Sequence, residues 1–244
     1  MLIFDKHGAL VKDDAVPGLT LTHGIKIDKD DNLYCLAMQN RAFDGKPYFN
    51  PATCTLIKFK PGKGRIIGTH KKAVPVPLKP ASMPKRPPDL IGGGKSGLSR
   101  AWVSGHEWMY GGVGYTGEHH KNPAYGCDCC YSSFDLDYFG RSFAPEVEHC
   151  SVAVLDSAGN LILRVGKYGN ADDGKPLVPA GGPPSTNSIG GDEVAIFYAP
   201  HLAVHTDRRL FIADVGNERI VSVKLGYGAT EKVALKDVAD SAAP

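Results

Sequence analysis

The sequence predicts an all-β protein built as a β-propeller, and three observations carry that prediction. An apolar strand, a polar turn and a second apolar strand recur at residues 24–37 (GIKIDKDDNLYCLA), 134–145 (FDLDYFGRSFAP) and 202–213 (LAVHTDRRLFIA). The last two tracts superimpose without a gap at one offset (214 − 146 = 68), which takes Phe143 to Phe211, Glu146 to Asp214, Val147 to Val215 and Val152 to Ile220. No stretch carries the periodicity of an amphipathic helix of ordinary length. A repeated supersecondary unit cannot bury its faces alone, so the copies must stack. Small antiparallel sheets stacked around an axis are propeller blades.

The elements follow in order. Residues 1–12 read as strand, turn and strand, with the turn at Asp5, Lys6, His7 and Gly8, and supply the outer strands of one blade. Residues 24–67 form a second blade, interrupted by an irregular insertion at about residues 38–53. Apolar alternation at Ile25, Ile27, Leu33 and Cys35 carries its first strands. Residues 68–133 read as a longer irregular insertion. It opens on the Pro-rich run 74–88 (VPVPLKPASMPKRPP), where proline removes ladder donors and favours an extended surface loop. Within it, residues 101–112 (AWVSGHEWMYGG) suggest a degenerate hairpin turned at Ser104 and Gly105. Residues 134–166 form a third blade and residues 200–235 a fourth, separated by a Pro/Gly loop at 170–191.

The chain is therefore expected to be a single domain over residues 1–244, a partial or open ring of about four to five four-stranded blades with long Pro/Gly loops. Propellers of this kind usually close with about six blades, within a range of about four to eight, so a longer protein with flanking domains is expected. A net charge of +2 with scattered basic residues excludes a strong electrostatic partner such as duplex nucleic acid. No run of about eighteen apolar residues exists to span a membrane. The N-terminal MLIFDKHGALV lacks the basic, apolar and small-residue regions of a signal peptide.

The tracts VLDSAGNLILRVGKYGN and LFIADVGNERIVSVKL resemble NHL repeats. Phe211, Ile212, Ala213 and Asp214, then Gly216, Asn217, Arg219 and Ile220, match that pattern closely, and Asp156, Gly159, Asn160 and Leu161 match its turn. The second blade departs from it, because Leu36 and Ala37 are followed by an insertion. Residues 127–156 also resemble bacterial NHL-containing proteins of uncharacterised function with a Cys-x-Cys before one blade, a position that Cys127 and Cys129 occupy. That resemblance implies an NHL-type propeller within a larger exported protein, periplasmic or extracellular. It carries no activity.

Four constellations could carry chemistry. Cys127, Cys129 and Cys130 with His119 and His120 offer thiolates and imidazoles for zinc or copper(I), although the spacing fits no zinc finger. The same cysteines suit disulfides, plain thiols or a redox role. Asp28, Asp137 and His205 fall at one repeat position, so a channel could collect them as metal ligands or bases; turn capping is the plainer reading. Trp102, Trp108 and Tyr110 could form an aromatic platform for a ligand, or simply pack. Loop carboxylates at Asp172, Asp173, Asp192 and Glu193 suit calcium or solvent.

No nucleophile elbow or phosphate loop occurs. The expected function is thus a non-catalytic scaffold binding a protein, glycan or small molecule. The alternatives are a metal-dependent lyase or hydrolase with a central-channel site, as in propellers of related build, and a metal-binding or redox role for the cysteine cluster.

Overall fold

The computed structural model describes residues 2–19, 22–50, 52–68, 84–92, 100–115, 132–173 and 194–226. The first strands are β1 (Ile3–Phe4), β2 (Leu10–Lys12), β3 (Thr22–Ile27), β4 (Leu33–Ala37), β5 (Asn40–Phe43) and β6 (Lys46–Pro47). They are followed by β7 (Cys54–Phe59), β8 (Arg65–Gly68), β9 (Leu90–Ile91), β10 (Arg100–Ser104) and β11 (His106–Val113). The second half holds β12 (Asp135–Leu136), β13 (Ser142–Glu146), β14 (Ser151–Leu155) and β15 (Leu161–Val165). After these come β16 (Lys167–Tyr168), β17 (Ala195–Ile196), β18 (His201–His205), β19 (Arg209–Asp214) and β20 (Arg219–Lys224). Among the described residues the only helical pieces are short 3-10 turns, including Val147–His149 and Val215–Asn217, so the protein is all-β.

Three antiparallel meanders form the body. They are β3-β4-β7-β11, β12-β13-β14-β15 and β18-β19-β20, called blades one, two and three below. Side chains alternate between the faces of a strand, so a sheet covered on both faces loses its polar side altogether. That is why β4, β7, β13 and β14 are buried along their whole length. One face of blade one (Tyr34, Leu36, Leu56, Val113) packs on blade two through Phe134, Ala144, Ala153 and Leu155. The opposite face of blade two (Phe143, Val152, Val154) packs on blade three through Leu202, Leu210 and Ile212. Among the described residues blade three is covered on one side, and β19 accordingly alternates buried with half-buried residues.

The first strands of the meanders lie side by side, with β12 between β3 and β18. Asp135 joins all three: its carboxylate pairs with Lys26 Nζ at 2.8 Å on β3 and accepts from Val204 N at 2.8 Å on β18. Sheets stacked face to face with their first strands adjacent are the arrangement of propeller blades.

The repeat seen in the sequence is a repeat of register. Phe143 pairs with Val154 and Glu146 with Ser151, while Phe211 pairs with Ser222 and Asp214 with Arg219, each partner displaced by the same 68 residues (211 − 143, 222 − 154, 219 − 151). Both pairs of strands turn through a 3-10 turn that ends on a left-handed residue, Cys150 at φ 50° and Glu218 at φ 52°.

A buried carboxylate closes each corner. Glu146 accepts from Tyr110 Oη (2.8 Å), Ser151 Oγ (3.1 Å) and the Arg164 fork (2.5 and 3.0 Å). Burial alone would raise its pKa; the Arg164, Tyr110 and Ser151 contacts outweigh burial and hold it below its ordinary value of 4.5. A depressed native pKa contributes stability that is fully present above 4.5 and is lost as pH falls through the native value. Glu146→Gln is therefore expected to be less stable than the parent at neutral pH, with the gap closing on acidification. Urea midpoints across a pH series measure it; a gap constant down to acid pH would contradict the assignment.

Three boundaries differ from the sequence expectation. Residues 65–67 do not close blade one, whose fourth strand is β11, from within the region read as irregular. The segment before β3 captures β8 instead: Ile66 N donates to Pro17 O at 2.9 Å. Gly18, at φ 80°, leaves room for the Ile66 carbonyl, which would lie 1.8 Å from a Cβ there. The expected hairpin at 101–112 is two consecutive strands in different sheets, with β10 paired to β8 and β9 and β11 paired to β7. Strand β8 thus joins a five-stranded sheet, β6-β5-β9-β10-β8, whose Leu90, Ala101 and Val103 cover the outer face of blade one. Residues 1–12 form the pair β1-β2, which joins no blade among the described residues.

Candidate ligand-binding groove

The turns between the first and second strands of the blades are equivalent. In each, the amide of the fourth residue donates to the carbonyl of the first: Asp31 to Asp28, Gly140 to Asp137 and Arg208 to His205, all at 3.1 Å. The fourth residue is left-handed in every copy, with φ of 61°, 75° and 66°. Only Gly140 takes that conformation without a Cβ, and it sits against the Tyr34 hydroxyl and the Asp28 carboxylate of blade one.

Asp28, Asp137 and His205 therefore do occupy matching positions, each at the head of its turn. Asp28 Oδ1 accepts from the amides of Asp30 (3.0 Å) and Asn32 (2.9 Å), and Oδ2 accepts from Tyr34 Oη at 3.0 Å. Burial would raise the Asp28 pKa; the Asn32 and Tyr34 donors outweigh it and lower it. Burial, together with the same contact, drives the Tyr34 phenol strongly upward. Asp137 Oδ1 accepts from the amides of Phe139 (2.9 Å) and Arg141 (3.0 Å), and its Oδ2 is held by Arg141 Nε at 2.6 Å. His205 Nδ1 lies 2.8 Å from Asp207 Oδ1. Such side-chain-to-backbone bonds define Asx turns.

The fold brings two of the three together. Asp137 and His205 line one groove of about 360 Å³, cut between the first turns of blades two and three. Its walls are Leu136, Tyr138, Phe139 and Arg141 on one side and Val204, Thr206 and Arg208 on the other. Asp28 does not line it. Tyr138 and Phe139 stand 77% and 68% exposed, an unusual degree for adjacent large aromatics. They meet edge to face, centroids 5.8 Å apart, and the Arg141 guanidinium lies 5.0 Å from the Phe139 ring centroid.

The other aromatic candidates are engaged elsewhere. Trp102 is buried and its indole donates to Arg86 O at 2.8 Å. Trp108 donates to Ser157 O at 3.1 Å and covers Gly159, where a Cβ would come within 2.6 Å of the indole. Tyr110 is held by Glu146. Trp108 and Tyr110 thus join blade one to blade two, and Trp102 is tied to the loop before β9. The exposed pair was visible as Tyr138-Phe139 inside a turn string, a place where apolar rings have no core to enter.

Cys127, Cys129, Cys130, His119 and His120, and the Asp192-Glu193 pair, lie outside the described residues. Asp173 closes a local turn with Asn170, its Oδ2 accepting Asn170 N at 2.7 Å, while Asp172 N donates to Asn170 Oδ1 at 2.8 Å. Cys35 is a fully buried thiol whose pKa burial pushes up to about 12, which makes it inert packing. Among the described residues no three His, Cys, Asp or Glu side chains converge to hold a metal ion, and no helix is long and apolar enough to cross a membrane.

No protein-family model matches the chain, and no curated protein matches it. Among solved structures it is similar to a gluconolactonase from Xanthomonas campestris, with 12% identity and a TM-score of 0.26. The match covers 86% of this chain and 60% of that one, so the chain spans 60% of the length of the structure it matches. A likeness this distant carries no argument about activity.

Proposed function

We propose that the chain is a non-catalytic NHL-type propeller scaffold, part of a larger exported protein, that holds a ligand in the groove between the first turns of blades two and three. The observation that carries this reading is the exposed Tyr138-Phe139 pair, set on a turn whose backbone is pinned by Asp137 and Arg141. A rigid scaffold presenting a mouth with a few polar groups and aromatic surface has the build of a small-molecule site.

Binding is favoured over the metal-dependent hydrolase or lyase reading by the state of the carboxylates. Both oxygens of Asp28 and of Asp137 already accept hydrogen bonds within their own turns. Drawing them onto a metal or a substrate proton would dismantle the turns that place them.

Probing an array of immobilised oligosaccharides and peptides with the purified chain tests the reading. The expected result is retention of one ligand class, with about tenfold weaker binding by the double variant Tyr138→Ala, Phe139→Ala; each aromatic contact is worth about 0.5–1.5 kcal/mol, and two together reach the roughly 1.4 kcal/mol of a tenfold change. A double variant that stays folded and binds like the parent would remove the groove as the site.

A further inference from the structure

We infer that the groove takes an acidic saccharide, with Arg208 receiving the negative group and the Tyr138-Phe139 pair receiving the ring. This inference rests on the groove being the binding site and names its ligand class.

Arg208 is the first observation. Its backbone is fixed on both sides: its amide donates to His205 O at 3.1 Å, and its carbonyl accepts from Leu225 N at 2.8 Å. It holds a left-handed conformation, φ 66°, that a branched or long side chain adopts at a cost. Yet its guanidinium makes no ion pair and no hydrogen bond among the described residues. Its neighbours differ on this point. Arg141 is held by Asp137, and Arg209 by Asp207 at 3.4 Å and Ser222 Oγ at 3.1 Å. Among the described residues the groove thus carries a guanidinium, Arg208, that no carboxylate pairs, on a turn whose backbone is held by two hydrogen bonds. A guanidinium presents a planar fork that matches a carboxylate or a phosphate.

The second observation is the mixture of surfaces. A sugar ring offers an apolar C–H face and a polar rim of hydroxyls that both donate and accept. The groove offers exposed ring surface at Tyr138 and Phe139, and beside it the Thr206 hydroxyl, which can both donate and accept. A flat aromatic acid would satisfy the rings and Arg208 but would leave the Thr206 hydroxyl beside them without a partner. Burying a hydroxyl unpaired is unfavourable.

Isothermal titration with four probes tests the inference: trigalacturonate, neutral galactotriose, a phosphorylated hexose and benzoate. The variants are Arg208→Gln and, as a charge change away from the groove, Lys12→Gln on β2. Trigalacturonate is expected to bind, at least about tenfold more weakly to Arg208→Gln and unchanged for Lys12→Gln. Binding of the phosphorylated hexose instead, with the same loss in Arg208→Gln, sustains the acidic saccharide and assigns its charge to phosphate. Galactotriose bound as tightly as trigalacturonate, with no effect of Arg208→Gln, overturns the acidic class and leaves the groove standing. Benzoate bound alone overturns the saccharide. Equal weakening by Arg208→Gln and Lys12→Gln reduces the effect to net charge and overturns the role of Arg208. Silence of all four probes, with no array ligand sensitive to the aromatic pair, overturns both readings together.

Discussion

Asp214→Ala is expected to lower the unfolding free energy by about 3–5 kcal/mol, the cost of removing one partner from a buried ion pair. The Asp214 carboxylate is fully buried. Its Oδ1 accepts from the amides of Phe197 and Tyr198, both at 3.1 Å, and its Oδ2 accepts from Asn217 Nδ2 at 2.7 Å and Arg219 Nε at 3.1 Å. Removing it strands two backbone donors, an amide and a guanidinium at once, and an orphaned buried donor is worse than one never made. The damage is not confined to β19. Arg219 Nη2 also donates to Ala195 O at 2.5 Å and Asn217 to Gly169 O at 3.0 Å, so the same corner fixes the parallel pair β16-β17. Asp214→Asn keeps the shape and one good acceptor and should lose clearly less. Urea unfolding of the three proteins, read by far-ultraviolet circular dichroism, decides. A midpoint for Asp214→Ala within error of the parent would show that the corner is not held by this carboxylate.

Gly105→Ala ranks second, at about 2–5 kcal/mol. Gly105 is the single residue between β10 and β11, where the chain leaves the inserted sheet and enters blade one. It adopts φ 70°, and a Cβ there would lie 1.9 Å from the backbone carbonyl oxygen of Lys63. The left-handed conformation costs an L-residue about 1–2 kcal/mol, and forcing atoms into filled space adds about 1–3 kcal/mol. The obstructing atom belongs to the backbone, so no rotamer change relieves it. Gly62→Ala is the fitting control: the residue is also left-handed, φ 65°, but faces open space. It should show only the conformational part. Equal losses in the two variants would mean that crowding at Lys63 contributes nothing.

The parts of the fold written in local pattern were legible. Blades two and three are runs of adjacent strands joined by short turns, and alternation with turn residues marks such strands directly. The 68-residue offset even carried the strand register, because Glu146 and Asp214 sit at a corner that demands one geometry. What was not legible depends on contacts between distant segments. Strand β11 has the composition of a strand, yet nothing local says that it pairs with β7 rather than folding back on β10. That choice is made by Gly105 and by Gly111 and Gly112, which lie beneath Phe49 from the other insertion. The candidate site was half legible. Repeat alignment placed Asp137 and His205 together, while the identical treatment of Asp28 put it in a matching turn outside the groove. Tyr138, Phe139 and Arg208 were passed over because turn residues announce themselves by backbone chemistry, although two adjacent large rings inside a turn were a signal that could have marked the site.

The route of blade one has a consequence for assembly. Its third and fourth strands are separated by residues 60–105, so the β7-β11 ladder forms only after a long segment has been brought back on itself. Closing so large a loop is entropically slower than zipping a hairpin, and pairings distant in sequence retard folding. Blades two and three, knitted from neighbours, are free to nucleate first and give blade one a preformed wall of Phe134, Ala144 and Leu155 to condense against. The protein's maturation should therefore run from its C-terminal half backward, opposite to the order in which a ribosome delivers the chain.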